Sequence, residues 1–372
     1  MDADVVVIGG GPVGAAVGMF LRRAGLRAMV VDRVWFPRDK PCGEGLMPSG
    51  AAALEELGVD LAAEGFPPLR GVRYRLTDGS AAFAAFRRPG FGVRRLRLDA
   101  LLAERAGVCC GVTATALRIV PDGVVVETSS GPLQARAVVG ADGLRSRVRA
   151  WMGWERPPGA LRRHALVGHW EVPCHGLAEI TVTLLGDVEV YVAPSGTSEL
   201  LAAVLAPRGA LRLPGSSVEA SYRAIVERAH PELRPAALTT RVGGAGPFRT
   251  APAAVAAGRV FLAGDAAGFL DPLTGEAMAA GLAQARALSG FLADDLDTAA
   301  ERYRRWHRTQ WRRRRVVGGL ALALTGSDRL ARRALAGVAR RPGALERLLD
   351  VNDGSRGLAS VSPRDWAALV GL

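Results

Sequence analysis

The 372-residue sequence predicts an α/β fold with an antiparallel sheet inserted into it and helices at the C-terminus. Three observations carry that expectation. A β-branched run at the start of the chain meets a glycine-rich turn (residues 4–14). Two later apolar runs end in an Asp-Gly and a Gly-Asp pair (137–143 and 260–265). Between them, residues 156–250 alternate short apolar runs with turns.

Composition narrows the class of protein. With 49% hydrophobic residues, a chain of this length buries enough surface for two packed domains or one elaborated one. Asp2 and Asp4 stand where a secretory signal would carry basic residues, and glycines break the apolar run that follows, so no signal peptide is read. The apolar stretch 316–324 is about half the length that a membrane-spanning helix requires. Cys42, Cys109, Cys110 and Cys174 fall at no metal-ligand spacing and read as reduced thiols, which points to the cytoplasm. The formal charge of +12 would suit nucleic acid, but residues 301–347 hold fourteen arginines against Glu301, Asp328 and Glu346, a net +11. The basicity therefore belongs to one C-terminal segment, and no nucleic-acid partner is expected.

Residues 4–9 (DVVVIG) read as a parallel strand buried on both faces. Gly9-x-Gly11-x-x-Gly14 follows at once and opens a helix over about 13–24, which Gly25 ends. A second strand, 28–31, ends at Asp32. Each part has a task in holding a dinucleotide. Gly9 permits the turn, Gly11 lets the backbone approach a pyrophosphate, and Gly14 lets helix and strand pack closely. The helix start offers free N–H groups to the phosphates, and Asp32 can accept from the ribose hydroxyls of FAD or NAD. The unit is of the Rossmann type.

Two further segments point to FAD. Residues 137–149 (AVVGADGLRSRVR) and 260–276 (VFLAGDAAGFLDPLTGE) resemble the Asp-Gly and Gly-Asp motifs of the flavoprotein aromatic hydroxylase and geranylgeranyl reductase superfamily. With the first fingerprint they cover about the first 300 residues. The resemblance implies that Asp142 and Gly143 lie near the FAD pyrophosphate and that Gly264 and Asp265 hold the ribityl chain. Arg95, ahead of Leu98-Asp99, would contact the cofactor phosphates unless it is simply solvated. Gly275, Glu276 and Ala277 open an alanine-rich helix over 276–288 whose N–H groups would meet the flavin N1 and C2 oxygen, where reduced flavin is anionic. Many relatives carry glycine where this chain has Ala277. The change keeps the N–H donor.

Residues 36–48 (FPRDKPCGEGLMP) resemble the Pro-Arg-x-Lys-x-Cys-Gly motif of the geranylgeranyl reductase branch. Their prolines and glycines predict a rigid loop, which in the relatives runs beside the isoalloxazine ring. Cys42 and Glu44 are the candidate catalytic residues. Cys42 would line the ring or tune proton delivery, unless it only fills space. Glu44 would be a proton source, unless it faces water.

The expected division has three parts. Residues 1–70, 92–155 and 251–298 form the FAD-binding domain, 71–91 and 156–250 a substrate-binding sheet, and 299–372 a basic helical segment. His164, His169 and His175 share no strand face, and no metal site is assigned. Gly168 stands where the Trp-x-Trp-x-Ile-Pro motif of flavin halogenases would begin, which argues against halogenation. Tyr303, Trp306 and Gln310 recur at helical spacing, so the basic segment either packs an aromatic stripe on the core or lies on an anionic membrane surface.

The resemblance implies an FAD-dependent oxidoreductase that takes electrons from NADH or NADPH and acts on a lipophilic small molecule. It either reduces a carbon–carbon double bond, as geranylgeranyl reductases do, or hydroxylates or epoxidises an aromatic or polyketide substrate as a monooxygenase. A non-catalytic prenyl-binding escort protein is the third reading. It would need no intact flavin site.

Overall fold

In the computed structural model, which describes residues 1–157 and 162–372, the first β-branched run forms the strand Ala3–Ile8 in the middle of a largely parallel sheet. It pairs in parallel with Ala28–Asp32 on one side and with Leu133–Gly140 on the other, and Val260–Leu262 continues the parallel set. Val6 and Val7 point to opposite faces of this sheet and both are fully buried, which explains an apolar run without alternation. The helix Pro12–Arg23 starts on Gly11, and Gly25 at φ +82° terminates it in the left-handed conformation.

A second sheet closes over the first. Its strands run in the order Gly243–Ala245, Arg163–Glu171, Glu199–Pro207, Val188–Pro194, Glu179–Leu185, Pro68–Leu76, Ala81–Gly92 and Gly45–Leu46. Strand alternation gives it two faces. Leu166, Val190, Ala202 and Val204 pack beneath the helix Val218–Ala229, whereas Val167, Ala203, Tyr191, Val182 and Tyr74 form a row in register across the other face.

The expected boundaries and pairing need two corrections. The sheet is not wholly antiparallel, because the chain enters it twice and Glu179–Leu185 runs parallel to Pro68–Leu76. Gly45–Leu46, assigned from sequence to the FAD-binding segment, pairs with Phe91 and Gly92 at the edge of the second sheet. The Cys42 loop therefore hangs between the two sheets. The expected insert 156–250 includes residues 158–161, which lie outside the described residues.

The basic segment is not a separate unit. Leu296–Thr325 is one 30-residue helix, and its fully buried Tyr303 donates to Leu262 O at 2.8 Å while stacking on Trp306. This is the aromatic stripe, packed on the core of the parallel sheet. Further along, Val317, Leu335, Val338, Leu345 and Leu348 cover Val72, Leu76, Ala84, Val182 and Leu184 of the second sheet. No helix among the described residues is long and apolar enough to cross a membrane.

Candidate active site

A cavity of about 600 Å3 lies between the C-terminal edge of the parallel sheet and the second sheet. Gly9 and Gly11 line one end of it. Gly9, at φ +105°, makes the turn, and a methyl group on Gly11 would meet only Arg38 Nη2 at 3.4 Å, so the backbone is open to a ligand there. Gly14 does not line the cavity. A Cβ at Gly14 would fall 1.8 Å from the carbonyl oxygen of Gly9, so its task is the close packing of helix on strand.

Asp32 is buried at the same end, accepting from Gly10 N at 2.8 Å and Val34 N at 3.0 Å. Each carboxylate oxygen keeps a second lone pair for ribose hydroxyls. Arg38 Nη2 stands 3.5 Å from Asp32, and Lys40 reaches the Asp142 turn, where a Cβ on Gly143 would sit 3.4 Å from its ammonium group. These cations were visible in the Pro-Arg-x-Lys motif but were not singled out from sequence.

The other predicted flavin-binding elements converge on the cavity. Asp142 Oδ2 holds the start of the helix Arg147–Trp151 through Arg147 N at 2.6 Å and Val148 N at 3.2 Å. Its Oδ1 is buried with no partner among the described residues, which leaves an acceptor free for a bound hydroxyl. Gly264, Asp265, Gly275 and Ala277 also line the cavity, and the helix Ala277–Asp294 presents its N-terminus there. Glu276 is a correction to the sequence reading. Its side chain turns away from the cavity to the buried Arg314, whose Nε lies 2.6 Å from Oε1, so only its neighbours face a ligand. The open backbone at Gly11, the free Asp142 oxygen and the two helix N-termini fit FAD, in which case Gly9, Gly11, Asp32 and Asp142 would meet the dinucleotide and Asp265, Gly275 and Ala277 the flavin.

Arg95 is no solvated charge. It is buried at the cavity wall, and its guanidinium meets Asp99 in a bidentate pair at 2.6 and 2.7 Å. Burial works against its charge, but the Asp99 carboxylate outweighs burial and holds Arg95 protonated. Cys42 is half-buried on the same wall, with Sγ 3.5 Å from Glu44 N.

Glu44 does not face water, and both its carboxylate oxygens are engaged. Oε1 accepts from Arg95 N at 2.8 Å and from Arg94 Nη1 at 3.2 Å, and Oε2 lies 2.9 Å from His169 Nε2. Glu44 also sits at φ +53°, a left-handed conformation that costs a non-glycine residue roughly 1–2 kcal/mol. Three partners hold it there. The side chain is a strut that fixes the Cys42-Gly43 turn, and no sequence signal linked it to His169.

Beyond this wall the cavity is apolar. Ala165, Val167, Ala203 and Val182 from the second sheet face Phe248 and Phe269, with Leu349 from the C-terminal helices at the margin. Tyr74 and Tyr191 bring the phenol groups on this side. Burial pushes the Tyr74 hydroxyl up to about 12, so it stays protonated. Strand alternation puts residues 189, 191 and 193 on one face but does not say that this face turns inward.

A dinucleotide-binding parallel sheet, a flavin-shaped constellation and an apolar chamber under a second sheet define a flavoprotein oxidoreductase. Residues 2–71 and 121–317 match the FAD binding domain family, and the chain belongs to it. It is 30% identical over 329 residues to a menaquinone reductase of Mycobacterium tuberculosis, covering 80% of this chain and 78% of that one. It is 32% identical over 167 residues to the aurachin C monooxygenase/isomerase of Stigmatella aurantiaca, covering 41% and 44%. A flavoprotein/dehydrogenase from Cytophaga hutchinsonii shares the fold with a TM-score of 0.85, 19% identity and coverage of 99% and 96%. The protein is an FAD-dependent oxidoreductase. The escort reading is set aside.

Proposed function

We propose that the enzyme uses NADH or NADPH to reduce a carbon–carbon double bond in a lipophilic, isoprenoid-bearing molecule. The observation that carries this reading is the apolar row Val167, Ala203, Val182 and its facing Phe248 and Phe269, interrupted only by two phenol groups, beside the Cys42 loop. Such a lining binds hydrocarbon by removing it from water and offers little to a polar substrate. Likeness to a menaquinone reductase over most of both chains favours reduction of a lipid-soluble molecule.

Bound FAD would supply the hydride. The residues of the chain do the rest. Gly9, Gly11, Asp32, Asp142 and Arg95 would hold and orient the dinucleotide, the helix start at Ala277 would favour an anionic flavin edge, and the apolar chamber would exclude water. Cys42, fixed by Glu44, would border the reacting carbon atoms.

A second reading is a monooxygenase. It is favoured by the aromatic pair Phe248 and Phe269, 5.4 Å apart and facing the chamber, and by the likeness to the aurachin enzyme. Incubation of the FAD-loaded protein with NADH or NADPH and an isoprenoid naphthoquinone separates the two by product mass. After any quinol has been reoxidised in air, a retained gain of two hydrogens supports reduction of the double bond, whereas a gain of one oxygen overturns it in favour of the second reading.

We also propose that the exposed face of the long helix docks on anionic lipid, from which such a substrate would be drawn. Arg308, Arg312 and Arg315 lie there at helical spacing with the exposed Val316, and the exposed Leu330 follows on the next helix.

A further inference from the structure

The mechanism above leaves unused a buried polar cluster beside the chamber. Arg163, Glu189 and Asp271, each at most 7% exposed, meet beside the chamber with Arg163 Nη2 2.7 Å from Glu189 Oε2 and Nη1 3.2 Å from Asp271 Oδ1. Two carboxyl groups share one guanidinium. In a buried site a second negative charge that must share its nearest cation is costly, so the cluster favours keeping one proton. Asp271 Oδ1 also takes Leu273 N at 3.0 Å and Asp271 has Arg249 near it as a second cation, whereas Glu189 has Arg163 alone, so the retained proton is favoured on Glu189. Burial pushes both carboxyl groups up, against the pull of Arg163.

Tyr191 connects this cluster with the chamber. Its hydroxyl lies 3.3 Å from Glu189 Oε2 and donates to Leu273 O at 3.0 Å. Leu273 belongs to the turn Pro272–Thr274 that leads into the flavin-facing helix, so the phenol spans from the second sheet to the cofactor side of the chamber. Further polar neighbours are Tyr74 on an adjoining part of the sheet, Arg249 near Asp271, and Thr325 at the end of the long helix beside Glu189.

We propose that Tyr191 hands a proton to the molecule bound in the chamber and is recharged by the carboxyl group of Glu189. The step rests on the reduction reading. Saturating a double bond requires a hydride at one carbon, which comes from reduced FAD, and a proton at the other. The Tyr191 O–H bond breaks and its proton forms the second C–H bond with the electron pair left on that carbon. The phenolate then takes the Glu189 proton, and the new carboxylate is held by Arg163 until a proton from solvent restores it. Each turnover consumes one hydride and one solvent proton. Tyr191 is the catalytic residue here. Glu189, Arg163 and Asp271 act through it.

The test uses the FAD-loaded protein with Glu189→Gln and Tyr191→Phe, both accepted as folded by FAD stoichiometry. Infrared spectra at neutral pH should show the carbonyl stretch of a protonated carboxyl group, absent in Glu189→Gln and shifted in Tyr191→Phe. Turnover of the isoprenoid naphthoquinone by Tyr191→Phe should fall about 10²–10⁴-fold in kcat. Its KM should change by less than about threefold, as removal of a group used only in the transition state requires. A wild-type spectrum without that band, or Tyr191→Phe at wild-type turnover, overturns the proposal. An oxygenated product from the wild type would overturn the reduction reading alone, and the band with its Tyr191→Phe shift would still decide whether the Glu189–Tyr191 link exists.

Discussion

Glu44 Oε2 and His169 Nε2 meet at 2.9 Å although 125 residues separate them in the chain. The contact ties the Cys42 loop to the strand Arg163–Glu171, next to one edge of the second sheet. Glu44→Ala removes the acceptor for His169, Arg94 and the Arg95 N–H together and leaves a buried guanidinium partly unpaired. A hydrogen bond to a charged group contributes about 1.5–3 kcal/mol, and a loss of that size is expected in urea unfolding. Cys42 should also react faster with a thiol reagent in the variant. Unchanged stability and thiol reactivity would show that Glu44 does not brace the loop.

The fingerprint glycines should fail in different ways. Gly14→Ala drives a methyl group into the Gly9 carbonyl and should lower the melting temperature of the protein with or without FAD. Gly11→Ala meets only the flexible end of Arg38 and should fold normally. Its methyl group points where a pyrophosphate would pass, so FAD affinity should drop at least about tenfold, which is about 1.4 kcal/mol. Equal FAD affinity in Gly11→Ala and the wild type would displace the phosphates from this turn.

His307 gives the protein an acid-sensitive limb. Burial, and then the nearby Arg314 charge, lower its pKa from 6.5 to about 4. Between these values the unfolded chain takes up a proton that the folded protein refuses. Stability should therefore fall as pH drops from about 6.5 to about 4, by roughly 3 kcal/mol at most. Glu189 and Asp271, raised by burial, act in the opposite direction, losing stability as pH rises. Comparing melting temperatures of His307→Gln and the wild type across this range isolates the histidine. Parallel curves would refute the assignment.

Charge reversal at Arg308, Arg312 and Arg315 should abolish flotation with vesicles rich in anionic lipid and leave neutral vesicles unaffected. Added salt should weaken the wild-type interaction in the same way. Flotation that is indifferent to these substitutions would leave the helix as a solvated face.

The sequence by itself determined the dinucleotide unit. Its parts lie within about thirty residues, and each residue type meets a local demand: Gly9 a positive φ, Gly14 a close approach, Asp32 a strand end. Asp142, Asp265 and Gly275 were legible for the same reason, since each follows its own strand or turn. Only the tertiary structure decided what surrounds the reacting end of the cavity. Alternation in residues 188–194 shows that Tyr191 has a face but not that this face looks inward, and helical spacing does not say that Leu349 reaches the chamber. Glu44 with His169, and Tyr191 with Leu273, are contacts between residues far apart in the chain, set by how two sheets close on one another. No periodicity or propensity along the chain encodes such a meeting.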